Sequence, residues 1–177
     1  MSRSARPSVI AVSILAVVWS AGIFVVPWLA DPGAPARLLY APVCHQLPER
    51  SLTIAGSPAA VCARCTGLYL GGTLGLLLVA AARIRLRGSR LTWLIVAVAP
   101  SVVDVAAGVV GLGGLPNVPR LLVALPAGVV LGLLLGEAVL DLASSIRERR
   151  KRSTLDVAAH APCPRPQTDG TGLGGHS

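Results

Sequence analysis

Four long apolar segments dominate the sequence and restrict what the chain can fold into. The first runs from Val9 to Ala30 without a charged residue, and three further apolar segments of comparable length follow it. About 20 apolar residues are enough for a helix to cross the roughly 30 Å hydrocarbon core of a membrane. The sequence therefore predicts an all-α integral membrane protein with four transmembrane helices, at about residues 9–30, 63–82, 91–110 and 121–143.

The composition excludes two other classes of protein. Of the 177 residues, 53% are hydrophobic and only 14% are charged, whereas a soluble domain has about 25% charged residues. An ordinary water-soluble globule is therefore not expected. A fully disordered chain is excluded as well, because so much apolar surface would collapse.

The positive charges predict the orientation in the membrane. Near the segment ends, eleven Lys and Arg residues lie in residues 1–8, 83–90 and 147–152, and four (Arg37, Arg50, Arg64 and Arg120) fall on the other side. Cytoplasmic loops carry the excess of Lys and Arg. We therefore predict a multi-pass protein of the cell membrane with both termini in the cytoplasm. The formal charge of +8 then reflects topology, so the lipid bilayer is the expected partner and nucleic acid is not.

This topology divides the chain into three parts. Residues 1–8 form a cytoplasmic N-terminus, residues 9–143 the membrane domain, and residues 144–177 a basic and then disordered cytoplasmic tail. Within the membrane domain, residues 31–62 form an extracytoplasmic loop. The first segment exceeds the 7–15-residue core of a signal peptide, so we expect it to remain as a helix.

Two stripes of glycine predict where helices approach closely. They repeat every four residues on the second and fourth segments, at Gly67, Gly71 and Gly75 and at Gly128, Gly132 and Gly136. Residues four apart share one helix face, and small residues let helix backbones touch within lipid. Such a contact forms within one chain or between two copies, so a homo-oligomer is one expectation.

Three of the four cysteines predict a chemical site on the outer side. Cys44, Cys62 and Cys65 fall within twenty-two residues, at the loop and the start of the second segment. Thiolates and imidazole suit Zn²⁺, so the leading hypothesis is a zinc site formed by these cysteines and His45. This makes Zn²⁺ the expected cofactor.

Two other uses of the cysteines stay open. The Cys62–Cys65 pair begins a helix, where the thiol pKa falls, and so favours a membrane thiol–disulfide oxidoreductase linked to a quinone or a protein partner. Cys44 would then be the resolving thiol. Alternatively, a static disulfide stabilises a non-enzymatic membrane scaffold, which the outer compartment permits.

Four charged residues are candidates for catalysis near this site. Asp104 is the only charge inside the third segment, and an intramembrane carboxylate needs a partner or a water-filled pocket. Arg120 begins the fourth segment, and Glu49 and Arg50 lie in the loop. Asp104 and Arg120 are expected to form an ion pair, the floor of a pocket below the cysteines, or both. If the site is catalytic, a metal-bound water for hydrolysis is the expected reagent.

Two motifs resemble the signature of a known family. Cys44–Ser51 reads C-H-Q-x-P-E-R-S and Cys62–Gly71 reads C-x-R-C-T-G-x-Y-x-G. Together they resemble a prokaryotic family of small predicted membrane proteins defined as a domain of unknown function, over about residues 43–132. A second block of that family is matched by Pro100, Asp104, Asn117 and Arg120. The family often continues its Asp with Gly and then Gln, whereas Val105 follows here. The resemblance implies that both blocks form one site, and it implies no particular reaction.

Overall fold

The computed structural model describes residues 6–29, 35–111 and 114–159. It is mostly helical, with α1 at Arg6–Leu29, the short α2 at Pro35–Leu38, α3 at Ala63–Ala82, α4 at Arg90–Val109 and α5 at Asn117–Ala159. Four of these helices contain stretches long and apolar enough to cross a membrane: Pro7–Trp28, Ala63–Ala82, Arg90–Val109 and Asn117–Thr154. The prediction of four such helices is confirmed.

The chain divides into two compact units, Met1–Ser144 and Ser145–Ser177. The first contains α1 to α4, the strands described below and most of α5. The described part of the second is helical and basic, and there Arg152 Nε lies 3.8 Å from Glu148 Oε1, one helical turn away. Cys163 and the tail from residue 160 onward lie outside the described residues.

Helices α3 and α5 run parallel and touch through the two glycine stripes. A Cβ on Gly71 would lie 3.0 Å from Gly128 Cα, and one on Gly75 would lie 3.0 Å from the carbonyl carbon of Gly132. Neither distance leaves room for a side chain. The two stripes therefore cover each other within one chain, and the close approach supplies the van der Waals contact that association in lipid requires.

Helix α1 packs on the opposite side of α3 through its few polar residues. Ser20 Oγ lies 2.7 Å from Thr73 Oγ1, and Thr73 Oγ1 donates a hydrogen bond of 3.2 Å to the carbonyl oxygen of Ala16. Hydroxyl groups inside apolar helices find partners across the interface in this way. The polar residues of this predicted span thus mark its contact face.

Helix α4 packs on α5, and each end of that contact contains a buried carboxylate. At one end lies Asp104, described below. At the other end, Glu137 is 3% exposed, accepts a hydrogen bond of 2.8 Å from the backbone N–H of Leu86, and lies 3.1 Å from Arg90 Nη2. The α3–α4 connection is thereby fixed to α5.

The segment before α3 forms an antiparallel hairpin, with β1 at Ser51–Ile54 and β2 at Ser57–Cys62. Ala55 and Gly56 form its two-residue turn with φ of 50° and 80°, and positive φ at both positions is the conformation that joins twisted strands tightly. Ala60 and Val61 are fully buried against Ile23 of α1. The hairpin therefore anchors the start of α3 beside the end of α1.

This hairpin corrects the prediction of an all-α chain with an extended loop at residues 31–62. The sequence lacks the usual signals, because the turn is Ala-Gly rather than Asn-Gly or Asp-Gly. In addition, Ala59, Ala60 and Val61 are all buried in succession, so the alternating pattern of a half-buried strand is missing.

The last helix is also longer than predicted. The predicted fourth segment ends at about residue 143 and residues 144–177 are predicted to be a basic and then disordered tail, whereas α5 continues to Ala159. No Gly or Pro occurs between residues 144 and 159, and the Glu148–Arg152 pair adds a helix-supporting contact. Loss of hydrophobicity ended the predicted membrane span, but it does not end a helix.

The glycine contact gives a direct test of the packing. We expect Gly71→Ala to lower the melting temperature of the detergent-solubilised protein, because the new Cβ meets the backbone N of Val129 at 2.8 Å. Overpacking of this kind costs about 1–3 kcal/mol. Tryptophan fluorescence during heating would measure it.

The matched control is Gly108→Ala on α4, where an added Cβ meets no atom within 4 Å. Alanine is the better helix former, so this variant should melt at the wild-type temperature or slightly above it. Equal melting temperatures for the two variants would contradict the close α3–α5 contact.

Candidate metal centre

Three cysteines converge at one end of the helical bundle, which we call the cysteine end. Cys44 follows the turn after α2, Cys62 ends β2, and Cys65 lies in the first turn of α3. Their Sγ atoms all lie within 4.8 Å of one another. Cys44 is buried, Cys62 and Cys65 are half-buried, and all three are free thiols.

Local backbone geometry fixes the position of the Cys44 sulfur. The backbone N–H of Cys62 donates to Cys44 Sγ at 3.2 Å, and that of Gln46 donates at 3.5 Å. Gln46 adopts φ of 54°, and its side-chain amide donates a 2.7 Å hydrogen bond to the carbonyl oxygen of Arg37. The tight turn at Gln46 thus directs Cys44 towards the start of α3.

The surroundings of Cys62 favour its thiolate. The side chain of Cys65 makes the largest contribution, and the backbone N–H of Cys65, the Cys44 side chain and the backbone N–H of Arg64 add to it. Together they lower the pKa of Cys62 from 9.0 to about 5, against the opposing effect of burial. A thiolate is the form that binds metals and attacks electrophiles, so Cys62 is ready for either role at neutral pH.

The three thiols open onto a cavity of about 350 Å³. Its lining includes His45 and three arginines, Arg50, Arg64 and Arg120. His45 is exposed, and it is not among the close metal-ligating atoms found in the described part of the chain. Of the four predicted ligands, the three cysteine sulfurs therefore lie close together. The fourth, His45, lines the same cavity outside that cluster.

Below the cysteines, the carboxylate of Asp104 is buried and surrounded by donors. Its Oδ2 accepts hydrogen bonds from Arg64 Nε, at 2.8 Å, and from Arg64 Nη2. Its Oδ1 accepts one of 2.9 Å from the backbone N–H of Leu115. Arg120 Nε lies 3.4 Å from Oδ2. Asp104 and Arg120 thus form the expected ion pair, but Arg64 provides the hydrogen bonds.

Arg64 is the residue that the sequence analysis did not assign to this site. Two features of the sequence pointed to it: it lies between Cys62 and Cys65, and it is a charge at the end of an apolar segment, at the membrane depth expected of Asp104. From the sequence, Arg64 is expected as one of the four positive charges of the outer side and as a neighbour of the two thiols. A buried carboxylate within a membrane needs a nearby cation. Arg64 provides it at the shorter distance, with Nε 2.8 Å from Asp104 Oδ2, against 3.4 Å for Arg120 Nε.

The remaining candidates connect the loop to α5. Asn117 Nδ2 donates to the carbonyl oxygens of Ser51, at 2.9 Å, and Glu49, at 3.2 Å. Glu49 thus contributes its backbone to the site's framework, and its side chain is exposed. Arg50 is exposed as well and lines the cavity. The two sequence blocks therefore meet in space, as the resemblance implied.

Comparisons with known proteins cover the same part of the chain. A family model for predicted membrane proteins, DUF2085, matches residues 44–134. The chain belongs to the DUF2085 family. This confirms the prediction of a family of predicted membrane proteins of unknown function, and the matched region begins at Cys44 and includes Cys62, Cys65 and both arginines that contact Asp104.

Two archaeal relatives extend the comparison. An uncharacterised protein of Methanocaldococcus jannaschii is 30% identical, over 63% of this chain and 80% of the relative. An uncharacterised protein of Methanothermobacter thermautotrophicus is 32% identical, over 52% of this chain and 83% of the relative. No solved structure matches the chain significantly.

The ion pair below the cysteines predicts a large effect on stability. Asp104→Asn leaves the guanidiniums of Arg64 and Arg120 without a counter-charge in a buried site, and breaking such a pair from one side costs about 3–5 kcal/mol. We expect a marked fall in melting temperature in detergent.

The control is Glu148→Gln, which removes an exposed carboxylate 3.8 Å from Arg152. Exposed pairs contribute about 0–1 kcal/mol, so this variant should melt as the wild type does. If Asp104→Asn also melted as the wild type, the carboxylate would not be buried and paired as described.

Proposed function

We propose that this member of the DUF2085 family is a zinc-binding membrane protein whose metal is held by Cys44, Cys62 and Cys65. The observation that carries the proposal is the convergence of the three sulfurs within 4.8 Å. Thiolates that bind one zinc ion tetrahedrally at about 2.3 Å lie roughly 3.8 Å apart. A small rotation of the side chains therefore suffices to reach metal-binding distances.

The chemistry of the ligands and their surroundings supports zinc over harder cations. Three sulfur donors favour Zn²⁺ and similar soft ions, whereas Mg²⁺ and Ca²⁺ select oxygen. The lowered pKa of Cys62 reduces the cost of losing its proton to a metal. The backbone N–H groups of Gln46 and Cys62 that donate to Cys44 Sγ orient that ligand, as supporting hydrogen bonds do in metal sites.

The fourth coordination position faces the cavity. His45 lines that cavity and is exposed, so its ring provides the fourth ligand if the Cys44–Gln46 turn brings it closer. Otherwise the position is occupied by water or by a substrate, which is the arrangement of catalytic zinc sites. In that arrangement the metal would supply an activated water for hydrolysis, and Arg50 and Arg120 would orient an anionic substrate beside it.

We propose further that the cysteine end faces the outside of the cell membrane. The charge bias supports this orientation. Basic residues are concentrated after the second apolar segment, at residues 83–90, and after the fourth, at residues 147–152, whereas the cysteines lie at the start of the second. The strongly basic ends are expected in the cytoplasm. The thiols would then lie in a compartment where zinc competes with oxidation, and metal binding protects them from it.

The metal proposal is tested by elemental analysis. Full-length protein purified in detergent without chelators should contain about one zinc per chain, since a three-thiolate site binds one ion. Cys65→Ser should lose most of that zinc because one of three thiolates is gone. Cys163→Ser is the matched control and should retain it.

A second candidate function is thiol–disulfide exchange, which the lowered pKa of Cys62 and the proximity of the three thiols also favour. Thiol trapping in intact cells separates the two functions. A metal-free protein in which Cys62 and Cys65 are recovered as a mixture of reduced and disulfide forms would contradict the zinc proposal and support an oxidoreductase. A fully oxidised pair that resists reductant would indicate a structural disulfide instead.

The orientation is tested with a membrane-impermeant maleimide on sealed cells. Two variants with a single cysteine, at Cys62 or at Cys163, are compared after reduction and metal removal. Cys62 should be labelled without lysis and Cys163 only after lysis, because the charge bias places them on opposite sides. The reverse pattern would overturn the proposed orientation.

A further inference from the structure

We propose that the cavity beside the cysteines binds a phosphate group, held by the guanidiniums of Arg120 and Arg50. The inference deepens the proposed function and rests on it in one respect, because the metal would contact one of the phosphate oxygens. The arginine contacts themselves do not depend on the metal.

The first observation is that Arg120 has unused hydrogen-bonding capacity. Its side chain is 12% exposed, and its buried Nε has no hydrogen-bond partner in the described part of the chain. Its contact with Asp104 is an ion pair, with Nε 3.4 Å from Oδ2, and not a hydrogen bond. The guanidinium lines the cavity and carries further N–H donors besides Nε, which remain available to a ligand oxygen there.

The second observation is that Arg120 is held in place. The backbone at Gly114 passes so close that a Cβ there would overlap Arg120 Nη2 and lie 3.8 Å from Asp104 Oδ1. The guanidinium is therefore confined between Gly114, Asp104 and the cavity that it lines. A confined guanidinium loses little side-chain entropy when a ligand binds, which increases affinity.

The third observation is the sign of the charge. Among the described residues, the cavity is lined by three arginines and by no Asp or Glu. Asp104 forms ion pairs with both Arg64 and Arg120 and offsets one of the three positive charges, so two remain. A zinc ion bound to three thiolates carries one net negative charge. The loaded site therefore remains positive and attracts an anion.

The number of contacts selects phosphate over carboxylate. Guanidinium groups bind either anion with paired hydrogen bonds. Two guanidiniums and a metal with an open coordination position would offer three separate contacts, and a phosphate monoester has three terminal oxygens to match them, whereas a carboxylate has two. The cavity volume of about 350 Å³ lies at the lower end of ligand-binding pockets, roughly 300–1,000 Å³, and so admits the phosphate with part of its ester group.

Titration calorimetry on the zinc-loaded, full-length protein in neutral detergent tests this with inorganic phosphate as the probe. We expect saturable binding that Arg120→Gln weakens at least tenfold, with an unchanged zinc content. Arg120→Lys should recover part of the affinity, because it restores the charge without the planar pair of donors. Arg87→Gln, an exposed arginine outside the cavity, should stay within twofold of the wild type.

The source of the phosphate is distinguished by a second probe. A short-chain phosphatidic acid that binds at least tenfold more tightly than inorganic phosphate would indicate a lipid headgroup, and equal affinities would indicate a soluble phosphate. Both results support the inference.

Three results would overturn it. These are no saturable binding of phosphate by zinc-loaded wild type, undiminished binding by Arg120→Gln, or acetate binding as tight as that of phosphate. If the protein holds no zinc, the metal proposal fails separately. The same comparison of wild type with Arg120→Gln on metal-free protein then decides the phosphate inference.

Discussion

The carboxylate of Asp104 brings a negative charge into an apolar bundle, and the cysteine end is built around its neutralisation. Removing an ionised carboxylate from water costs several kcal/mol unless charged and hydrogen-bonding groups replace the lost hydration. Arg64 of α3, Arg120 of α5 and the N–H of Leu115 replace it here. Because Asp104 itself belongs to α4, this one charge joins three helices. Arg64 lies between Cys62 and Cys65 in the sequence, so its ion pair with Asp104 also helps to hold the backbone that carries the two thiols.

The glycine contact between α3 and α5 makes that arrangement sterically possible. In lipid the helices gain little from burying apolar surface, so association depends on close packing. The absence of side chains at Gly71 and Gly128 allows the backbones to touch. Since the two helices are parallel, their first turns lie at the same end, where α3 contributes Cys65 and α5 contributes Arg120. A set of thiols and a set of guanidiniums consequently face one cavity.

The family match covers the part of the chain that contains these contacts. It covers residues 44–134, which include the cysteines, the hairpin, α3, α4 and the part of α5 that contacts them. Helix α1 lies outside that match and contributes support: Tyr40 donates to the carbonyl oxygen of Trp19 at 3.0 Å, and Ile23 is buried with Cys44 in one apolar cluster. The three thiols and the charged groups of the candidate site therefore all lie within the matched region.

The sequence by itself determined the four apolar helices, because hydropathy over twenty residues is a local property that fixes the partition into lipid. It also determined that Cys62 and Cys65 lie close together, since they are three residues apart at the start of an apolar segment, and it required a partner for Asp104, since a lone charge in lipid is unstable. Only the tertiary structure decided which cation that partner is, because Arg64 and Asp104 are forty residues apart. It likewise decided the hairpin and the place of His45. These depend on positive φ angles at Gln46, Ala55 and Gly56, which no periodicity in the sequence records.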